Sequence, residues 1–351
     1  MKGVRFLILA LALLVFLAGV SSPVLRWFYE VGLVADDYRY GDLYRLANLP
    51  QFKAREQPCP PGHPANAPRL PIDLYLIGDS FTEPERIGPG DFPVQRYHNT
   101  HWAKQSAIQL DPNRTNVLIL ETVERHFREH FAQAVLNLRV VADTTRLPAP
   151  PAEKPNWATR IHGLEETIAP PGTEERLENL LFSNDFFLWF KELKASLNLR
   201  WFDRTNPKVS LVGGGNQLVY ALDTDSTAIH ASFTPLSDRE LNSLVDSVNQ
   251  VAERYRRLGF DQVYLSIIPN KVSLVDPQYG TYNRLIERVQ QHPALRVPVI
   301  DAYTPMRESR EPVYAPSDSH WNCRGRAIWL EAVNRQLRTP GGSPGPAVSR
   351  R

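Results

Sequence analysis

The stretch Pro71-Ile-Asp-Leu-Tyr-Leu-Ile-Gly-Asp-Ser-Phe-Thr82 decides how the chain is read. Its apolar run, Ile72 to Ile77, has strand length, is too short for a helix and is bounded by Pro71 and Gly78, which predicts a buried parallel strand. Open α/β sheets place their chemistry at the carboxyl ends of their strands. Gly78-Asp79-Ser80 falls at such an end, where a sharp turn would present the Ser80 hydroxyl to a cleft. A serine hydroxyl is a weak nucleophile until a base takes its proton.

A base is available far along the chain, at Ser317-Asp318-Ser319-His320-Trp321-Asn322. Asp318 and His320 flank one residue, so a carboxylate can orient the imidazole while the other ring nitrogen faces Ser80. Taken alone, Ser317-Asp318 reads as the cap of a helix starting near Cys323, with His320 a polar surface residue. Taken together, the two stretches predict a triad of Ser80, His320 and Asp318 assembled across one sheet.

The motifs "IGDSFT" (77–82) and "SDSHWN" (317–322) resemble the SGNH hydrolase superfamily, in particular its alginate O-acetyltransferase-like branch. "LILETVERHF" (118–127) and "SIIPNK" (266–271) resemble two further blocks of that branch, and the likeness spans roughly residues 70 to 335. It implies a three-layer α/β/α sandwich with a mainly parallel sheet and an O-acetyl transferase or esterase acting on an extracytoplasmic glycan. Ser80 would be the nucleophile, His320 the base and Asp318 its orienting acid. Asp79, Glu121 (with Glu124 as the alternative alignment), Arg125 and Lys271 would support substrate or oxyanion. The resemblance also implies a polysaccharide acceptor and an acetyl donor supplied by a membrane-bound acyltransferase. Serine precedes Asp-x-His here, the order of ordinary SGNH esterases rather than of the alginate enzymes. The Gly-x-Asn-Asp block is missing, and Asn116 sits at the wrong end of its strand to supply an oxyanion donor. The rival functions are an acetyl or carbohydrate esterase of the same fold and a non-catalytic glycan-binding or assembly protein.

Outward from these motifs, residues 1–30 carry Lys2 and Arg5 and then an uncharged run from Phe6 to Leu25. A signal peptide and a spanning helix both fit it. The run continues to Trp27-Phe28-Tyr29, suited to an interfacial belt, which favours an uncleaved anchor with the bulk of the chain outside the cytoplasm. Residues 31–68 read as a connector. A domain over 69–338 follows, with an insertion at about 147–235, and 339–351 reads as a disordered tail. The net charge of +2 gives no broad basic field for nucleic acid.

Within the domain, Glu83 to Pro93 is expected as an exposed loop over the cleft. Strands are expected at 116–120, 262–268 and 297–300, a helix over Glu121 to Leu138, another over Leu241 to Leu258 behind the capping box at Ser237, and others over Tyr282 to Gln291 and Ala327 to Leu337. The insertion predicts an aromatic-rich helix, Phe182 to Leu199, with its rings packed in the core or, as the alternative, lining a sugar-binding groove, and a hairpin around Gly213-Gly-Gly215. No cofactor and no metal ion is expected: His98, Asn99 and His101 lack further partners at ligand spacing. His126 and His130 do not form His-Glu-x-x-His and read as surface or packing residues. Cys59 and Cys323 can pair outside the cytoplasm or remain apart.

Overall fold

The structure is a computed structural model that describes residues 2–36, 38–55, 58–64, 66–142, 170 and 172–339. The proline-rich stretch at 147–155 and the tail at 340–351 lie outside the described residues. In chain order the helices are α1 (Lys2–Val20), α2 (Ser22–Glu30), α3 (Asp42–Ala47), α4 (Glu124–His130), α5 (Thr173–Phe182), α6 (Asp185–Phe202), α7 (Ala221–Thr224), α8 (Asp238–Arg257), α9 (Lys271–Val275), α10 (Leu285–Gln290), α11 (Tyr303–Arg307) and α12 (Cys323–Arg338). The strands are β1 (Leu70–Gly78), β2 (Val94–His101), β3 (Ser106–Ile108), β4 (Thr115–Val123), β5 (Leu138–Val140), β6 (Val209–Val212), β7 (Gln217–Tyr220) and β8 (Gln262–Ile268).

The chain divides into two compact units, Met1–Arg55 with Pro148–Asn206, and Glu56–Leu147 with Pro207–Arg351. The segment expected as one insertion is therefore shared between them, with its hairpin in the second unit. That hairpin pairs β6 with β7 antiparallel, and Gly213, Gly214 and Gly215 all take positive φ in its turn, a conformation that side chains disfavour.

The second unit is built on a four-stranded parallel sheet in the order β2-β1-β4-β8. Alternate residues of each central strand enter two different cores. Tyr75, Ile77, Leu118, Leu120, Leu265 and Ile267 pack with Phe127 of α4, the Leu241/Leu244/Val245/Val248 stripe of α8 and Leu285 of α10. Leu74, Leu76, Val117, Ile119 and Tyr264 face the other way, onto Ile328, Trp329, Leu330 and Val333 of α12. Burial on both faces explains why β1 and β4 read as continuous apolar runs. The ends of α8 match their sequence signals, since Ser237 Oγ accepts the Glu240 N–H at 3.2 Å.

One strand is new and three expectations are corrected. The edge strand β2 was not foreseen: it is half-exposed, and its sequence Val-Gln-Arg-Tyr-His-Asn-Thr-His carries no apolar run. The strand expected at 297–300 shrinks to a single parallel bridge, Leu265 to Val299, because Pro298 has no N–H to donate and contributes only its carbonyl, 3.0 Å from the Leu265 nitrogen. The helix expected from Glu121 begins only at Glu124 and ends at His130, while Glu121 itself is in β4. The Glu83–Pro93 loop is not simply exposed, for Ile87, Asp91 and Phe92 are buried. Asp91 accepts from Arg326 at 2.6 Å and from the Gly62 and Gly88 nitrogens at 2.8 Å, which pins the loop to α12.

In the first unit Gly3–Val20 of α1 is long and apolar enough to cross a membrane, a property shared by spanning helices and signal sequences. Its carboxyl end packs closely on α5: the Gly19 carbonyl accepts from Arg176 Nε at 2.6 Å, and a Cβ at Gly19 would lie 2.4 Å from Leu177. The aromatic helix α6 departs from expectation. Asn184 caps it through the Phe187 N–H, but Phe186, Trp189, Phe190, Trp201 and Phe202 are exposed, Trp201 by 75%. The helix is apolar around most of its circumference, so one small unit cannot bury all of its faces.

Candidate active site

β1 ends at Gly78, and the chain turns at Asp79 into a single 3-10 turn, Ser80–Thr82. Gly78 is required by space: a Cβ there would come within 2.1 Å of Thr82 Oγ1 and 2.7 Å of Glu121 Oε2. The turn is fixed from beneath by Glu121, whose Oε2 accepts the Asp79 N–H at 2.8 Å and the Thr82 hydroxyl at 2.9 Å. Glu121 is fully buried, and burial first, then the neighbouring Asp79 charge, push its carboxyl well above the usual range. Thr82 also lends its carbonyl to the Asn99 side-chain amide from β2.

The loop before α12 supplies the partners. His320 Nε2 lies 2.8 Å from Ser80 Oγ, and His320 Nδ1 lies 2.5 Å from Asp318 Oδ1. The same Asp318 oxygen accepts the His320 backbone N–H at 2.8 Å. Asp318 does not cap α12, a role taken by Asn322, whose Oδ1 accepts from Arg324 and Gly325. The imidazole also rests on the Phe81 ring, with centroids 4.8 Å apart, so the residue after the serine helps to orient the histidine.

The other expected site residues have different partners. Lys271, buried to 1% exposure, donates to the backbone carbonyls of Ala315 at 2.7 Å, Pro316 at 3.2 Å and Asp318 at 3.1 Å. These bonds clamp the loop that bears Asp318 and His320. Arg125 meets both oxygens of buried Asp223 at 3.3 Å and lies over the Tyr220 ring. Glu124, the alternative alignment, accepts from Ser273 Oγ at 2.6 Å and the Asn270 N–H at 2.9 Å, and burial pushes it up to about 7. Asn116 is bonded to Asp111 and Asp261 at the amino end of β4, away from the strand end that leads to the site.

Sequence reasoning missed several contributors. Arg86 places a guanidinium nitrogen 3.8 Å from Asp318 Oδ1. His126 and His130, read as surface or packing residues, turn toward Asp79: Nδ1 of His126 is 3.3 Å and Nε2 of His130 is 3.9 Å from Asp79 Oδ1. Burial alone would raise the Asp79 pKa, but the His126 hydrogen bond, the two imidazoles and the Val123 N–H together hold it below the usual carboxylate range. Burial pushes His130 down to about 4. Cys59 and Cys323 form a disulfide that ties the segment before β1 to the first residue of α12.

No family model, curated protein or solved structure matches the chain.

The geometry alone therefore has to carry the chemistry. A serine, a histidine and an aspartate in one hydrogen-bonded line, with the imidazole tautomer fixed by the carboxylate, can deprotonate the hydroxyl and hold the resulting positive charge. Every member of that line comes from the carboxyl edge of the sheet or the loop beside it.

Proposed function

We propose that the chain is an extracytoplasmic serine-dependent O-acyl transferase, of acetyl groups, on an SGNH hydrolase-like α/β/α sandwich related to the alginate O-acetyltransferase-like branch. The observation that carries the reading is the hydrogen-bonded line Ser80 Oγ, His320, Asp318. The apolar helix α1 and the disulfide fit a chain held at a membrane with its second unit in an oxidising compartment. The acceptor is a cell-surface or secreted polysaccharide, and the acetyl donor is supplied by a membrane-bound acyltransferase.

In this mechanism His320 Nε2 takes the Ser80 proton as Oγ attacks the acetyl carbonyl carbon. The tetrahedral intermediate collapses, the donor oxygen leaves with the proton from His320, and an acetyl-serine ester remains. A sugar hydroxyl then gives its proton to His320 and attacks the ester, and Ser80 Oγ recovers the proton as it departs. The Ser80 N–H and the turn after it are the oxyanion donors of this scheme. Asp318 stays ionised and keeps Nδ1 protonated throughout.

The test is acetyl release from an activated acetyl ester by the full chain in detergent, with and without an oligosaccharide acceptor. Ser80→Ala and His320→Ala should each lower the rate by roughly 10²-fold or more while the protein stays folded. Acetyl appearing on the acceptor identifies a transferase, and release to water alone identifies an esterase. Equal rates for wild type and both variants would remove the catalytic reading and leave a glycan-binding protein.

A further inference from the structure

Asp79, His126 and His130 form a cluster that the serine chemistry does not use. His126 and His130 are one helical turn apart on α4, so both rings project from one face. Asp79 approaches that face from the end of the neighbouring strand. One carboxylate oxygen of Asp79, one nitrogen of His126 and one of His130 lie within 4.8 Å of one another. Two of the separations are 3.3 and 3.9 Å. A tetrahedral ion with bonds of about 2.0–2.1 Å holds its ligand atoms about 3.4 Å apart. The two separations from Asp79 Oδ1 bracket that spacing.

The surroundings prepare each group as a ligand. His130 Nδ1 is 2.8 Å from Thr122 Oγ1, which leaves Nε2 directed at Asp79 yet too distant for a hydrogen bond. Its ring stacks on Trp102 with centroids 4.0 Å apart and planes 14° from parallel, so its orientation is fixed. Asp79 spends its other oxygen, Oδ2, on the Val123 N–H at 2.7 Å and the Thr122 hydroxyl at 3.3 Å, keeping Oδ1 for the cluster. Outer contacts of this kind orient metal ligands and set their tautomers. The His126 side chain is 38% exposed, which gives an ion a path from solvent and leaves room for water.

From this geometry we propose that Asp79, His126 and His130 bind one divalent transition-metal ion of the Zn2+ class. Two imidazoles and a carboxylate suit such an ion better than Ca2+ or Mg2+, which take oxygen ligands. Three protein ligands leave at least one position for water or a substrate oxygen, immediately beside the nucleophile's own turn. The proposal stands apart from the acyl-transfer reading, since it uses neither Ser80 nor His320.

The full chain, in detergent micelles and without a polyhistidine tag, is stripped with EDTA, dialysed against Zn2+ and then against metal-free buffer, and its zinc is measured by atomic emission. Wild type should retain about one equivalent, and His126→Gln/His130→Gln should bind at least roughly tenfold more weakly in competition with a chromophoric chelator. If the double variant does not fold, His126→Gln alone, at the more exposed ring, should show the same weakening. Wild type that keeps no zinc, or a folded variant that keeps as much as wild type, would overturn the site. Because bound zinc is the readout, an inactive triad would leave this result untouched.

Discussion

Each acidic residue around the serine turn acts through what surrounds it. Glu121 and Glu124 are both fully interior carboxyls, yet Glu121 supports the turn that carries Ser80 while Glu124 fastens α4 to the Asn270–Ser273 segment. Burial raises Glu124 from its ordinary 4.5 to about 7. Between those values the folded chain holds a proton that the unfolded chain has released, so this contribution to stability is full below about 4.5 and is lost as pH rises through 7. The stability difference between wild type and Glu124→Gln, measured by urea unfolding, should shift against wild type by on the order of 3 kcal/mol from pH 4.5 to 7. A difference that does not change over this window would mean that Glu124 is ionised when folded.

Among elements, the loop from Ala315 to His320 matters most: the Tyr314–Trp321 bridge closes its base and the Ala315 N–H reaches the His320 carbonyl at 3.3 Å. Lys271 at the start of α9 adds to this by donating to three of its carbonyls. Lys271→Met should leave those carbonyls unsatisfied, at a cost of roughly 2–4 kcal/mol in unfolding free energy. It should also lower the turnover of an activated ester without a matching rise in KM, since the lysine acts by holding His320. A variant as stable and active as wild type would show that the remaining contacts of the loop suffice. The motif Pro-Asn-Lys was legible in the sequence, but its contacts with the loop were not. A lysine near a site suggests charge for a substrate, and only tertiary packing showed it buried against backbone oxygens.

For the whole molecule, the N-terminal helix and the exposed rings of α6 belong to one compact unit. If α1 stays in the mature protein as a span, the full chain should remain in the membrane pellet after carbonate extraction, with an intact mass that includes Met1 to Val20. Release into the supernatant with a shortened mass would identify a signal sequence. Trp189, Phe190 and Trp201 flank Arg200 and Lys191 on α6, a combination suited to the interfacial zone of the bilayer. Packing in the core had been the expected use of those aromatics. Ring content tells how much apolar area a helix carries but not whether the rest of the unit is large enough to cover it.

The sequence by itself determined the central strands, because β1, β4 and β8 are buried on both faces and leave continuous apolar runs, and it determined α8 through its cap and stripe. Ser80, Asp318 and His320 were legible only as a combination, since Gly-Asp-Ser alone reads as a turn and Ser317-Asp318 alone as a helix cap. Tertiary structure decided what depends on residues far apart in the chain. It brought His320 to Ser80 across a separation of 240 residues and paired Cys59 with Cys323 across 264. The edge strand β2 was hidden because one of its flanks faces solvent and needs no apolar pattern. His126 and His130 were legible only as a helical pair, and Asp79 joined them through the parallel alignment of β1 with β4, which local sequence spacing does not encode.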